Sequence, residues 1–146
     1  MDQIYIIEGN ASDWREAIFM TSDELWKHGC VTDDFYNSCI EREEEFPTGL
    51  TENCPVAIPH TTKEKVKKQA ICVLRLPKSI KFHRMDDPEL EVDVDLVFNL
   101  ALKDNNQHVI FIARIINMLK RPETIRELKE LPVSQLTEYL QNCIFA

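Results

Sequence analysis

With 146 residues, the chain is long enough to bury about two thirds of its unfolded surface in a single core, so one domain over residues 1–146 is expected. Its 25 acidic side chains outnumber 17 basic ones and leave a net charge of −8, which argues against nucleic acid as a partner because no basic face offsets the acidic excess. No apolar run is long enough to span a bilayer, and Met1 to Asn10 lacks the basic region and the apolar stretch of a signal peptide, so the protein is expected in the cytoplasm with no direct membrane insertion.

Ile4 to Ile7 is a short apolar run that reads as an edge strand. Ser12 then opens a helix in which Trp14, Ala17, Ile18 and Leu25 recur at helical spacing, with Trp14 read as packing rather than a ligand platform; Gly29 stops it. Asp33 to Glu45 reads as a second helix that turns Phe35, Tyr36 and Ile40 to the core, and the acidic run Glu43 to Glu45 at its end reads as a solvated face that would also suit a basic partner. Val56-Ala57-Ile58 is a short buried strand by composition. Thr61 and Glu64 have the spacing of a capping box, yet only Val66 is apolar between Thr62 and Gln69, so a short helix and a solvated turn are equal readings there. The lysines at 63, 65, 67 and 68 read as part of that solvated segment.

Gln69 to Leu76 is apolar on both faces apart from Arg75, the pattern of a central strand covered by helices. Pro77 is expected to end it, and Ile80 to Met85 to pair with it as a hairpin arm. From Val92 to Leu102 the residues Val92, Val94, Leu96, Phe98, Leu100 and Leu102 occupy alternate positions, which predicts one wholly apolar strand face. Asn105 to Lys120 carries Val109, Ile112, Ile116 and Leu119 on one helix face, widened by Phe111, Ile115 and Met118, so that helix is expected to be largely buried. Pro122 suits the first turn of a short helix, and Pro132 or Ser134 opens a last one packed through Leu136, Tyr139, Leu140 and Ile144. The mixture of helical and alternating periods predicts an α/β fold: a mixed sheet of four or five strands with helices on both faces.

His60 stands out chemically. Pro59 fixes its own φ and holds Ile58 extended, so the imidazole leaves the strand in a direction set by the backbone. A neutral imidazole presented in this way is a competent nucleophile at pH 7. The other histidines have structural explanations: His28 at a helix end, His83 on a strand beside Arg84, and His108 among polar residues at a helix start. The four histidines show neither HxH nor HxxxH spacing, so no metal site is expected. Five cysteines without paired short spacings indicate neither a disulfide framework nor a zinc ribbon, and Cys72 reads as a small core residue.

The stretch EREEEFPTGL from Glu41 to Leu50, the motif VAIPHT from Val56 to Thr61, the strand Val92 to Leu102 and the helix containing His108 together resemble the IIA component of the fructose/mannitol class of the bacterial phosphotransferase sugar uptake system. The Phe46-Pro47-Thr48-Gly49 run is most similar to galactitol-type IIA proteins. The resemblance covers essentially the whole chain and implies the same fold. It also implies that His60 accepts a phosphoryl group on Nε2 from the phosphocarrier protein HPr and passes it to a cysteine of a IIB component, which serves a separate membrane component, IIC. No cofactor is implied. Arg42 matches the arginine that family members carry before the motif, and a guanidinium suits the charge on a transferring phosphoryl group. His108 matches a second histidine of mannitol-type members. Thr48 would supply a further hydroxyl donor or serve only as a turn residue. Asn53-Cys54-Pro55 departs from the mannitol pattern and Glu52 is offset from the carboxylate found there. A regulatory module that signals transport state through the same phosphohistidine is the alternative reading; the absence of an attached DNA-binding or antiterminator domain favours transport. The sugar is set elsewhere, because the relay surface meets proteins.

Overall fold

The computed structural model describes residues 3–51 and 55–145; Glu52, Asn53 and Cys54, where the departure from the mannitol pattern falls, lie outside the described residues. Five strands, β1 (Gln3–Glu8), β2 (Gly49–Leu50), β3 (Val56–Ala57), β4 (Ala70–His83) and β5 (Glu91–Ala101), form one mixed sheet in the order β1-β4-β5-β3-β2. β1 runs parallel to β4 and β3 parallel to β5, whereas β4–β5 and β2–β3 are antiparallel. The apolar run at Ile4–Ile7 thus forms an edge strand, as its short length suggests.

Helices cover both faces. On one, Ile71, Val73, Phe98 and Leu100 pack with Phe111 and Ile115 of α3 (Asn105–Met118), Leu128 of α4 (Pro122–Glu130) and Leu140 of α5 (Val133–Ile144). On the other, Cys72, Leu74, Val97 and Ala101 pack with Ala17, Ile18 and Leu25 of α1 (Trp14–Lys27) and Phe35 and Cys39 of α2 (Phe35–Glu45). These two apolar layers account for the α/β fold with helices on both faces. The first helix is capped by Asp13, one residue after Ser12, through a bond from Glu16 N–H at 2.9 Å. It ends where Gly29 takes φ of 72° and Cys30 N–H reaches back to the Leu25 carbonyl, a closure that favours glycine.

Several elements differ from the sequence expectation, each for a local reason. Pro77 does not end its strand, and Ile80–Met85 is not a hairpin arm beside it: β4 runs on through Pro77 and Ile80 to His83. Residues 76–79 of β4 stand opposite Asp95 alone, between the pairs Arg75↔Leu96 and Ile80↔Val94. Pro77 sits in that irregularity, where no ladder bond is asked of it. The surplus is an odd number of residues, so it reverses the alternation of β5. Leu96, Phe98, Leu100 and Leu102 face α3–α5 as expected, but Val92 and Val94 turn to the α1 side instead of extending that face. Thr61 does not cap a helix; its hydroxyl pairs with Ser38 of α2, and only a 3-10 turn forms at Lys63–Lys65. On α3 the buried stripe is His108, Phe111, Ile115 and Met118, while Val109, expected inside, is 70% exposed.

The topology gathers the chemistry at one rim. Parallel neighbours β3 and β5 end side by side, and Leu100 N–H bonds the Pro59 carbonyl at 2.9 Å. The segments after these two strands, His60 in one case and the start of α3 in the other, are delivered to the carboxyl edge of the sheet, where open α/β sheets place their sites.

Candidate active site

His60 is partly buried, and its Nδ1 lies 2.8 Å from the Ile58 carbonyl. A carbonyl only accepts, so this bond requires the proton on Nδ1 and leaves the lone pair of Nε2 free. Sequence could not identify that acceptor, because it is a backbone oxygen. Burial lowers the pKa of His60 below its ordinary value, and the charge of Arg42 adds to this; the Ile58 bond opposes both. That shift favours the neutral ring, with its lone pair on Nε2.

His108 occupies the first turn of α3 with its ring centroid 5.1 Å from that of His60. Its pKa is pushed down to about 4, by burial first, then by His60 and Arg42, with Asp104 opposing. Among the described residues its Nε2 is buried without a hydrogen-bond partner. Arg42 comes from the last turn of α2, where its charge suits the helix dipole. It is exposed, and its guanidinium carbon lies 5.0 Å from the centre of the Phe46 ring. Among the described residues no carboxylate lies within ion-pair distance of it. Arg42 and His60 line two adjoining hollows. One, of about 280 Å³, is bounded by Phe46, Thr48 and Met85; the other, of about 410 Å³, by Asn105, His108 and Val109. The cleft therefore brings His60, Arg42 and His108 together.

Two residues behave differently from their sequence reading. Glu43, read as part of a solvated acidic run, is only 4% exposed, and Thr48 is 2% exposed. Thr48 donates to the Glu43 carboxylate from both its backbone N–H, at 2.7 Å, and its hydroxyl, at 2.9 Å. Burial pushes the Glu43 carboxyl up to about 7 although both Thr48 bonds pull it down. The signal was present in the sequence: Phe35, Cys39 and Glu43 recur every fourth residue, which places Glu43 on the buried stripe of α2. Thr48 is held deep because the chain at Gly49 runs against β4. A Cβ there would meet the His83 carbonyl oxygen at 2.6 Å, so only glycine allows this approach.

His108 and Glu43 give folding opposite pH dependences. His108 takes up its proton near 6.5 when unfolded but only near 4 when folded, so it costs stability as pH falls from 6.5 toward 4, by up to about 3 kcal/mol. Glu43 ionises near 4.5 unfolded and near 7 folded, so its contribution is full below 4.5 and is lost as pH rises toward 7, over a similar range of energy. The two slopes offset each other in the wild type. Chemical denaturation between pH 4.5 and 7 should therefore show His108→Asn losing stability as pH rises and Glu43→Gln losing it as pH falls. Curves parallel to wild type would contradict both assignments.

Against known proteins, the family model described as phosphoenolpyruvate-dependent sugar phosphotransferase system, EIIA 2, matches residues 1–143. The galactitol-specific EIIA component of Escherichia coli K12 is 33% identical over 128 residues, covering 87% of this chain and 85% of the relative. The crystal structure of the mannitol IIA from Escherichia coli superposes with a TM-score of 0.76 at 27% identity, over 94% of this chain and 95% of that one. A complex of the Escherichia coli mannitol IIA with phosphorylated mannitol IIB matches with a TM-score of 0.76 at 26% identity, over 96% and 94%.

Proposed function

Because the chain belongs to the phosphoenolpyruvate-dependent sugar phosphotransferase system EIIA 2 family, we propose that its cleft relays a phosphoryl group through His60. It is a phosphotransfer component of sugar or polyol uptake. The Nε2 lone pair attacks the phosphorus of phospho-HPr; a new N–P bond forms as the old one breaks, and the electron pair of the broken bond stays on the donor imidazole. A IIB thiolate then attacks the same phosphorus, an S–P bond forms, and the pair returns to Nε2. The proton stays on Nδ1 throughout, held by the Ile58 carbonyl. Arg42 meets the charge on the phosphoryl oxygens, as a fixed donor should. His108, which lines the same hollow, supports it.

The observation that carries this reading is the bond from Nδ1 to the Ile58 carbonyl, which assigns the reactive lone pair to Nε2. The structure of mannitol IIA in complex with phosphorylated IIB supports a IIB partner, and a relay to IIB would serve a membrane IIC component. The rim of the cleft suits protein partners too, since Val109 is 70% and Phe46 55% exposed, apolar surface that a docked protein would cover. We place the relay in the cytoplasm; among the described residues no helix is long and apolar enough to cross a membrane. The test is a chase. The chain is labelled with phosphoenolpyruvate, the upstream kinase and HPr, then mixed with a galactitol-type IIB. The label should leave for a IIB cysteine; label retained on this chain would turn the reading toward a regulatory module.

A further inference from the structure

We propose that Glu43 and Thr48 are positioning residues that keep the proton of His60 on Nδ1, acting through the backbone of Ile58. The proposal rests on the relay reading of His60 and extends it to two side chains that need never touch the phosphoryl group.

The contacts run in one direction. The Thr48 hydroxyl has a single proton and gives it to the Glu43 carboxylate, at 2.9 Å from Oε1 and 3.2 Å from Oε2. With the proton committed there, the hydroxyl oxygen is left as an acceptor, and Ile58 N–H donates to it at 3.1 Å. The same residue, Ile58, then accepts the Nδ1 proton of His60 at 2.8 Å. Both polar groups of Ile58 are thereby occupied, one by Thr48 and one by the imidazole.

That anchoring matters because the local sheet is slight. β3 has only the residues Val56–Ala57, and Ile58 lies just past its end, fully buried. An N–H in that position would be left unpaired without Thr48, at a cost of about 1–3 kcal/mol, and the segment would shift to relieve it. Pro59 has no N–H to help, so a shift of Ile58 would carry its carbonyl away from Nδ1. The imidazole is then free to move its proton to Nε2, the atom that must stay unprotonated to attack phosphorus. Once ionised, above its pKa of about 7, the Glu43 carboxylate only accepts, which fixes the Thr48 hydroxyl as donor toward it and acceptor toward Ile58 N–H. A glutamine at the same place would present an NH₂ group able to donate to Thr48 instead, weakening that polarity.

The test combines ¹⁵N-histidine NMR of the unphosphorylated protein with initial rates of phosphorylation by phospho-HPr, in Thr48→Val, Thr48→Ser and Glu43→Gln. In wild type the His60 ring should show a protonated Nδ1 and an unprotonated Nε2. Thr48→Val should mix the tautomers and slow phosphorylation roughly 10- to 100-fold, the scale on which residues that orient a reactive histidine act. Thr48→Ser, which keeps the hydroxyl, should restore both readouts. Glu43→Gln should shift both in the direction of Thr48→Val. His28 and His83 report whether the fold is intact. An unchanged tautomer in a folded Thr48→Val, or failure of serine to rescue, would overturn the proposal; if the valine variant does not fold, an unchanged tautomer in Glu43→Gln overturns it equally. The NMR readout does not depend on phosphate. A shifted tautomer with an unchanged rate would keep the positioning role and sink the relay reading of His60.

Discussion

His60→Ala should lose the phosphate adduct entirely while remaining folded. Wild type, incubated with HPr, its upstream kinase and phosphoenolpyruvate, should carry one phosphate that is labile in acid and stable in base, as a phosphoramidate must be; mass spectrometry before and after brief acid treatment reads this directly. The fold should survive because the ring is only partly buried and, among the described residues, its one hydrogen bond goes to the Ile58 carbonyl. Losing such a bond costs about 1 kcal/mol, against a typical total stability of about 5–15 kcal/mol. His108 is poorly placed to take over. Its ring lies in the buried stripe of α3, and its Nε2 has no solvent access. A full adduct in His60→Ala would move the acceptor to another residue and end the relay reading of His60.

What could be read from sequence divides along a physical line. Long periodic segments announced themselves: β5 and α3 each repeat their apolar pattern often enough to outweigh local noise, and Gly29 marked the end of α1, where the backbone takes a positive φ. β2 has the residues Gly49–Leu50 alone, too few to alternate, and exists through its neighbour β3. Pro77 read as a terminator because nothing local says that a partner strand will tolerate an irregularity opposite Asp95. The same irregularity turned Val92 and Val94 to the other face, a consequence of pairing that no single-strand pattern contains. In the cleft, His60 was visible from its proline, yet the partner of its second nitrogen is a main-chain oxygen that any residue supplies. Glu43 was hidden by its neighbours: an acidic run suggests solvent, while its spacing from Phe35 and Cys39 places it inside. Val109 shows the converse, an apolar residue left outside at the rim of the cleft.

Arg42→Ala should slow phosphorylation of His60 by roughly two to three orders of magnitude, the effect of removing one preorganised donor to developing charge. The transferring phosphoryl group spreads its charge over three equatorial oxygens between nearly in-line donor and acceptor, so a planar fork of N–H groups held beside it lowers the barrier more than it tightens docking. The Phe46 ring, 5.0 Å from the guanidinium carbon, restrains that fork on one side. Single-turnover kinetics should accordingly show a large fall in the transfer rate and a small change in HPr affinity. Arg42→Lys should recover only part of the rate, since an ammonium keeps the charge but not the paired donors. The alanine variant should also leave its mark on the free protein. The charge of Arg42 lowers the pKa of both His60 and His108, so its removal should raise both ring pKa values in an NMR titration. Because Arg42 is exposed at the end of α2, neither change can be ascribed to a collapsed core. A transfer rate that stays at the wild-type level would return this guanidinium to the solvated face of its helix.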